Sequence, residues 1–74
     1  MKITIESTDK IVYLNGIPAR IWEGETASGI CVHCFITRIA VRKDEPRIEE
    51  FTAELEETVA PSPEIAVIPA RLIL

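Results

Sequence analysis

Ile11-Val12-Tyr13-Leu14-Asn15-Gly16-Ile17-Pro18-Ala19-Arg20-Ile21-Trp22 is the stretch that decides the fold. Two β-rich apolar runs meet at Asn15-Gly16. A type I′ turn needs positive φ at both central residues, and Asn and Gly tolerate that best, so the dipeptide predicts a tight β-hairpin. Pro18 carries no N–H, which assigns its strand to a sheet edge or a bulge.

Working outward, residues 2–6 alternate, with Ile3 and Ile5 on one face and Lys2, Thr4 and Glu6 on the other, as in a half-buried strand. Ser7-Thr8-Asp9 reads as a turn. After the hairpin, Gly24 to Gly29 reads as a polar loop, and residues 30–42 as a long β-type run. The first half of that run is apolar on both faces, as in a central strand; the second half turns Arg38 and Arg42 to solvent. Lys43 to Pro46 breaks it, with Asp44 as a cap and Pro46 in the first turn of the next element. Ile48, Phe51, Thr52, Leu55, Thr58 and Val59 recur at helical spacing and predict an amphipathic helix of about three turns, ended by Pro61 and Pro63. Ser62-Pro63-Glu64-Ile65 reads as a capped single turn. Ala66 to Leu74 reads as a last extended segment, interrupted by Pro69 and docked on the sheet or a partner through Leu72-Ile73-Leu74. Ile68-Pro69-Ala70-Arg71 echoes Ile17-Pro18-Ala19-Arg20, consistent with shared edge-strand constraints. The expected fold is therefore α+β in a single domain spanning residues 1–74. It has a mostly antiparallel sheet of about four to five strands, order β-β-β-β-α-β, with one amphipathic helix packed on one face.

The chain has 74 residues, 47% hydrophobic and 27% charged, a globular composition. A domain this short buries only about 60% of its unfolded surface, so pairing with a copy or a partner would add stability. Tyr13, Trp22, Phe35 and Phe51 are the only aromatics, so the core must be mainly aliphatic. Met1-Lys2 leads into alternation and not into the apolar core of a signal peptide, and no apolar run approaches the ~20 residues that span a bilayer. Two cysteines without further partners fit a reducing compartment. A cytoplasmic protein with no membrane association is expected.

Charge is unevenly placed. Asp44, Glu45, Glu49, Glu50, Glu54, Glu56 and Glu57 stand against Arg47 alone, a net −6 between residues 44 and 57, while the rest of the chain carries +2. The helix thus presents an acidic outer face, and Arg38, Arg42 and Lys43 form a small basic patch. An acidic ridge can simply keep a small domain in solution. It can also dock on a basic partner or imitate a nucleic-acid backbone. Direct nucleic-acid binding is disfavoured, because phosphates call for a dominant basic stripe.

Cys31-Val32-His33-Cys34 holds metal-ligating residue types, but structural zinc sites bring a second pair from elsewhere. In a strand, Cys31 and His33 share a face and Cys34 takes the other, so the three cannot converge on one ion. Core packing is the preferred reading, with Cys31 and His33 as the metal-binding alternative. The same geometry separates Cys34 from His33 as nucleophile and base, and Cys31 lies about 6–7 Å from His33 along the strand. The three glycines sit apart, in no phosphate-cradling loop. No catalytic residue and no cofactor are expected. Trp22, where a strand gives way to a loop, reads as a core side chain first and a partner anchor second.

Arg20-Ile21-Trp22-Glu23-Gly24-Glu25-Thr26-Ala27-Ser28-Gly29-Ile30, then Val32-His33-Cys34-Phe35-Ile36-Thr37-Arg38-Ile39-Ala40-Val41, are followed by an acidic helix, Ala60-Pro61-Ser62 and Leu72-Ile73-Leu74. This order resembles small uncharacterised proteins encoded by tailed phages and prophages of Gram-negative bacteria. The likeness covers most of the chain through general pattern and brings no assigned activity. It implies a phage product in the host cytoplasm, where such proteins bind a host or defence protein as inhibitors or regulators. The expectation is a non-enzymatic module that binds a protein with a basic surface through Glu49, Glu50, Glu54 and Glu57, with Trp22. Strand edges near residues 17–22 or 68–74 would add pairing. A self-associating protein, homodimeric or virion-associated, is the structural alternative.

Overall fold

A computed structural model describes residues 1–67 and, as backbone, residues 71–72. The elements are β1 (Ile3–Leu14), β2 (Ile17–Thr26), β3 (Cys31–Ile36), α1 (Ile48–Glu56), α2 (Pro63–Ala66) and β4 (Arg71–Leu72). The sheet is three antiparallel strands in the order β3-β2-β1, with the two residues of β4 added parallel to Tyr13 and Leu14. The class is α+β as expected, with fewer strands. Residues 68–70 and 73–74, and with them most of the expected last extended segment and its docking, lie outside the described residues.

Asn15 and Gly16 have φ of 51° and 85°, the left-handed conformations that a type I′ hairpin turn demands. The strand count falls because residues 3–6 and 11–14 belong to one strand. Ser7-Thr8-Asp9 does not reverse the chain; the register slips between Ser7 and Ile11, as in a β-bulge. Side chains satisfy that irregularity. The buried Thr8 hydroxyl donates to the Ile21 carbonyl at 2.7 Å and accepts the Lys10 N–H at 3.2 Å, while Arg20 Nη1 donates to the Thr8 carbonyl at 2.7 Å.

The hairpin strand β2 is central, paired on both sides, which corrects its assignment to an edge. Pro18 is tolerated there because β3 pairs only with Arg20 to Glu25 and never reaches it. The expected polar loop is shorter than Gly24–Gly29. Gly24 continues β2, and the Gly29 N–H donates to the Thr26 carbonyl with Gly29 at φ 88°, the closing geometry of a bulged hairpin. In turn, β3 is an edge strand and stops at Ile36, so Arg38 and Arg42 leave the sheet.

Cross-strand partners share a face. One face carries Val12, Ala19, Ile21, Glu23, His33 and Phe35; the other carries Ser7, Ile11, Arg20, Trp22, Cys34 and Ile36. The core lies on the first face, with Val12, Ala19, Ile21 and Ile65 buried and Leu14 packed against them. Ile65 comes from α2, so the four-residue helix caps the core.

The larger helix does not seal the sheet as expected. No residue of α1 is buried: Phe51 is half-buried, while Ile48 is 49% and Leu55 41% exposed. The helix is also shorter than the periodicity suggests, because Thr58 and Val59 are captured by the edge of β1. Ser7 Oγ donates to the Glu57 carbonyl at 2.9 Å, the Val59 N–H to the Ser7 carbonyl at 3.0 Å, and the Asp9 N–H to the Val59 carbonyl at 3.2 Å. Glu54, Glu56 and Glu57 at the C-terminal end oppose the helix dipole, and no basic side chain in the last turn offsets them.

Candidate functional site

The face of the sheet opposite the core meets α1 along an open groove of about 510 Å³. Trp22 from β2, Phe51 from α1 and Val59 from the bridge to β1 give it an apolar lining, with Ser7 and Thr58; its carboxylates are Glu54 and Glu57, while Glu6 meets it at the β1 edge with its side chain on the Glu23 face of the sheet. The fold explains each position. Trp22 pairs across the ladder with Ser7 and Cys34, so the indole projects from the α1 side of the sheet. Phe51 and Glu54 are three apart on α1 and therefore neighbours on its surface. Glu57 ends the helix where the Ser7 hydroxyl binds its carbonyl, which leaves the carboxylate at the rim.

Negative charge continues beyond this groove. A smaller hollow beside α1 is lined by Glu45, Arg47, Glu50, Phe51 and Glu54. Arg47 Nε there pairs with Glu50 Oε2 at 2.5 Å, so the cation is already engaged by its own helix. Across the β1 edge, a third hollow is lined by Thr4, Glu6, Glu23, Gly24, Glu25 and Val59. On the other side of Trp22, a groove with Ile11, Pro18, Ile36 and Ile39 carries Arg20 and Arg38 instead. The indole therefore stands between an acidic and a basic depression. The basic patch expected from Arg38, Arg42 and Lys43 is dispersed along an irregular segment, with Arg42 3.7 Å from Asp44.

Of the five residues assigned to partner binding, Trp22, Glu54 and Glu57 come together in one groove. Glu50 lies in the adjoining hollow and Glu49 stands on the exposed surface of α1, lining neither. Sequence reasoning missed Phe51, assigned to the core stripe, and Ser7, assigned to a turn. Nothing local links Ser7 to a helix some fifty residues later. The Trp22 side chain is half-buried, intermediate between the two readings of it.

Cys31 and His33 lie on the core-side face and Cys34 on the other, as the strand alternation implies, but Cys31 and His33 are exposed and Cys34 is half-buried, so the core packing expected of them is not found. His33 Nε2 is 3.9 Å from Glu64 Oε2, and its cross-strand partner is Glu23. Among the described residues no group of three or more His, Cys, Asp or Glu side chains is placed to hold a metal ion. Glu23 is occupied otherwise: Oε1 accepts the Ser62 hydroxyl at 2.6 Å and Oε2 the Ser62 N–H at 2.9 Å. These two bonds hold its carboxyl below the ordinary value of 4.5, with His33 a smaller contributor and partial desolvation opposing. The contact is a latch that fixes the start of α2, and hence Ile65, on the core.

Among the described residues no helix is long and apolar enough to cross a membrane. No protein-family model matches the chain, and comparison with curated proteins and with solved structures finds no match.

Proposed function

We propose that the chain is a non-enzymatic accessory protein, of the kind small phage products provide, that docks on a basic surface of a larger host or defence protein and inhibits or regulates it. The observation that carries this reading is the groove of Trp22, Phe51 and Val59 bordered by Glu54 and Glu57. An aromatic floor supplies contact area, and a one-signed rim selects the partner and speeds the encounter. Among the described residues the rim carries no cation, so a Lys- or Arg-bearing segment with an apolar anchor is the ligand that matches it in both respects. The exposed side chains of α1 enlarge the surface: Ile48 and Leu55 are available beside the carboxylates and not locked in the core. A chemical reaction is not part of this reading, because Cys34 and His33 face opposite sides of β3.

The test is retention of proteins from the native host by immobilised chain, run beside a Glu54→Gln/Glu57→Gln double variant over a salt series. The expected result is a basic protein retained by the wild type, released as salt rises, and retained at least tenfold less by the variant. A retained set unchanged by the variant or by salt contradicts the proposal.

A further inference from the structure

We infer that two copies of this chain associate through the outer edge of β3, extending the sheet antiparallel across a two-fold axis with Cys34 opposite Cys34. This is independent of the groove beside α1.

The edge is open and its polar groups can be assigned. The Thr26 N–H donates to the Ile30 carbonyl at 2.9 Å, which makes Thr26 and Ile30 a hydrogen-bonded pair in the β2–β3 ladder. Such pairs recur at every second residue. Backbone groups of Val32, Cys34 and Ile36 therefore point to β2, and those of Cys31, His33 and Phe35 point away from the sheet. Among the described residues no strand pairs with that side of β3. Proteins guard such edges with charge, proline or bulges, and Cys31-Val32-His33-Cys34-Phe35-Ile36 has no proline, no Lys, Arg, Asp or Glu, and an unbroken register with β2.

A second copy is the occupant that this edge fits. Residues directly opposite in an antiparallel pair share a face, so a two-fold axis normal to the sheet pairs only residues of like parity. Two central registers satisfy that. One centres on His33 and sets two imidazoles against each other and Cys31 against Phe35. The other centres on Cys34. It matches Val32 with Ile36, sets the His33 ring on Phe35, and opposes no like charges, so it is the self-complementary choice. A bare strand edge about 20 Å long falls short of the ~800 Å² per partner of a stable interface. In the Cys34 register Ile30, 64% exposed, comes to the end of β3 of the second copy, where the chain leaves the sheet toward Ile39, 41% exposed, which adds apolar area to the edge. A monomer whose described core holds four buried hydrophobic residues has reason to gain from that burial.

Cys34 reports the register directly. Opposed residues of a non-hydrogen-bonded pair have Cα atoms about 4.5 Å apart, within reach of a disulfide. The full chain is treated with diamide, which takes up the two electrons and two protons released by a thiol pair. Its mass in solution is measured by light scattering with and without reductant. The expected results are a dimer under reducing conditions and a covalent dimer on oxidation, abolished by Cys34→Ser and kept in Cys31→Ser. Phe35→Lys, which sets a cation against His33, should weaken the reduced dimer about tenfold or more, with circular dichroism confirming that it folds. A monomer at millimolar concentration, or a dimer that cross-links through Cys31 and not Cys34, overturns the inference.

Discussion

Thr8 shows how one hydroxyl decides whether a turn-forming sequence turns. Its Oγ1 donates to the Ile21 carbonyl and accepts the Lys10 N–H, and the residue is fully buried. Replacing it by Val keeps the shape and leaves both backbone groups without that partner. Thr8→Val should lower stability by about 1–3 kcal/mol in urea unfolding, with the slope unchanged. Glu23 sets a second single-residue dependence. Its folded-state carboxyl is held below 4.5, chiefly by Ser62, so the stabilisation is present above the unfolded value. It is lost as pH falls from about 4.5 through the lowered folded value, and Glu23→Gln should remove this part of the acid sensitivity; a pH series of denaturant midpoints for both chains checks it. At this scale the sequence was legible where the cause is local. Asn15-Gly16 acts through its own φ angles, whereas Thr8 depends on Ile21 and Arg20, which reach it only across the hairpin.

Among the elements, the two helices exchange the parts that periodicity assigns them. The stripe Ile48, Phe51, Leu55 has helical spacing, and the helix forms, yet only Phe51 is even half-buried. The core instead takes Ile65 from a single turn that Ser62 and Glu23 latch to the sheet. Spacing reveals that a helix has an apolar face but not what covers it. Ile65→Ala should cost about 2–5 kcal/mol, and Leu55→Ala within about 0.5 kcal/mol of nothing, in parallel denaturant titrations. Equal costs would show that α1 seals the sheet after all. Strand positions were misread for a related reason. The apolar character of residues 30–36 suggests a central strand, but it marks an edge whose two faces are both only partly covered.

Over the whole molecule, exposed apolar side chains are spread along the described chain, and Ile48, Leu55 and Val59 among them lie on or next to the acidic helix α1. The charge asymmetry was legible in the sequence, as was its concentration on α1. The groove was not, because it needs Ser7 and Trp22 from the sheet beside Phe51, Glu54 and Glu57 from the helix and its cap. The account rests on that groove being open and negative around the indole, and Trp22 is the only tryptophan in the chain. The most direct measurement is collisional quenching of its fluorescence by caesium and by iodide at matched ionic strength. Glu54 and Glu57 should gather the cation, while Arg20 and Arg38 on the far side of the ring favour the anion. The account predicts a caesium-to-iodide quenching ratio higher than that of free N-acetyltryptophanamide under the same conditions, with the excess shrinking at high salt and in Glu54→Gln/Glu57→Gln. A ratio equal to or below that of the free indole, or an indole that neither ion reaches, would contradict it.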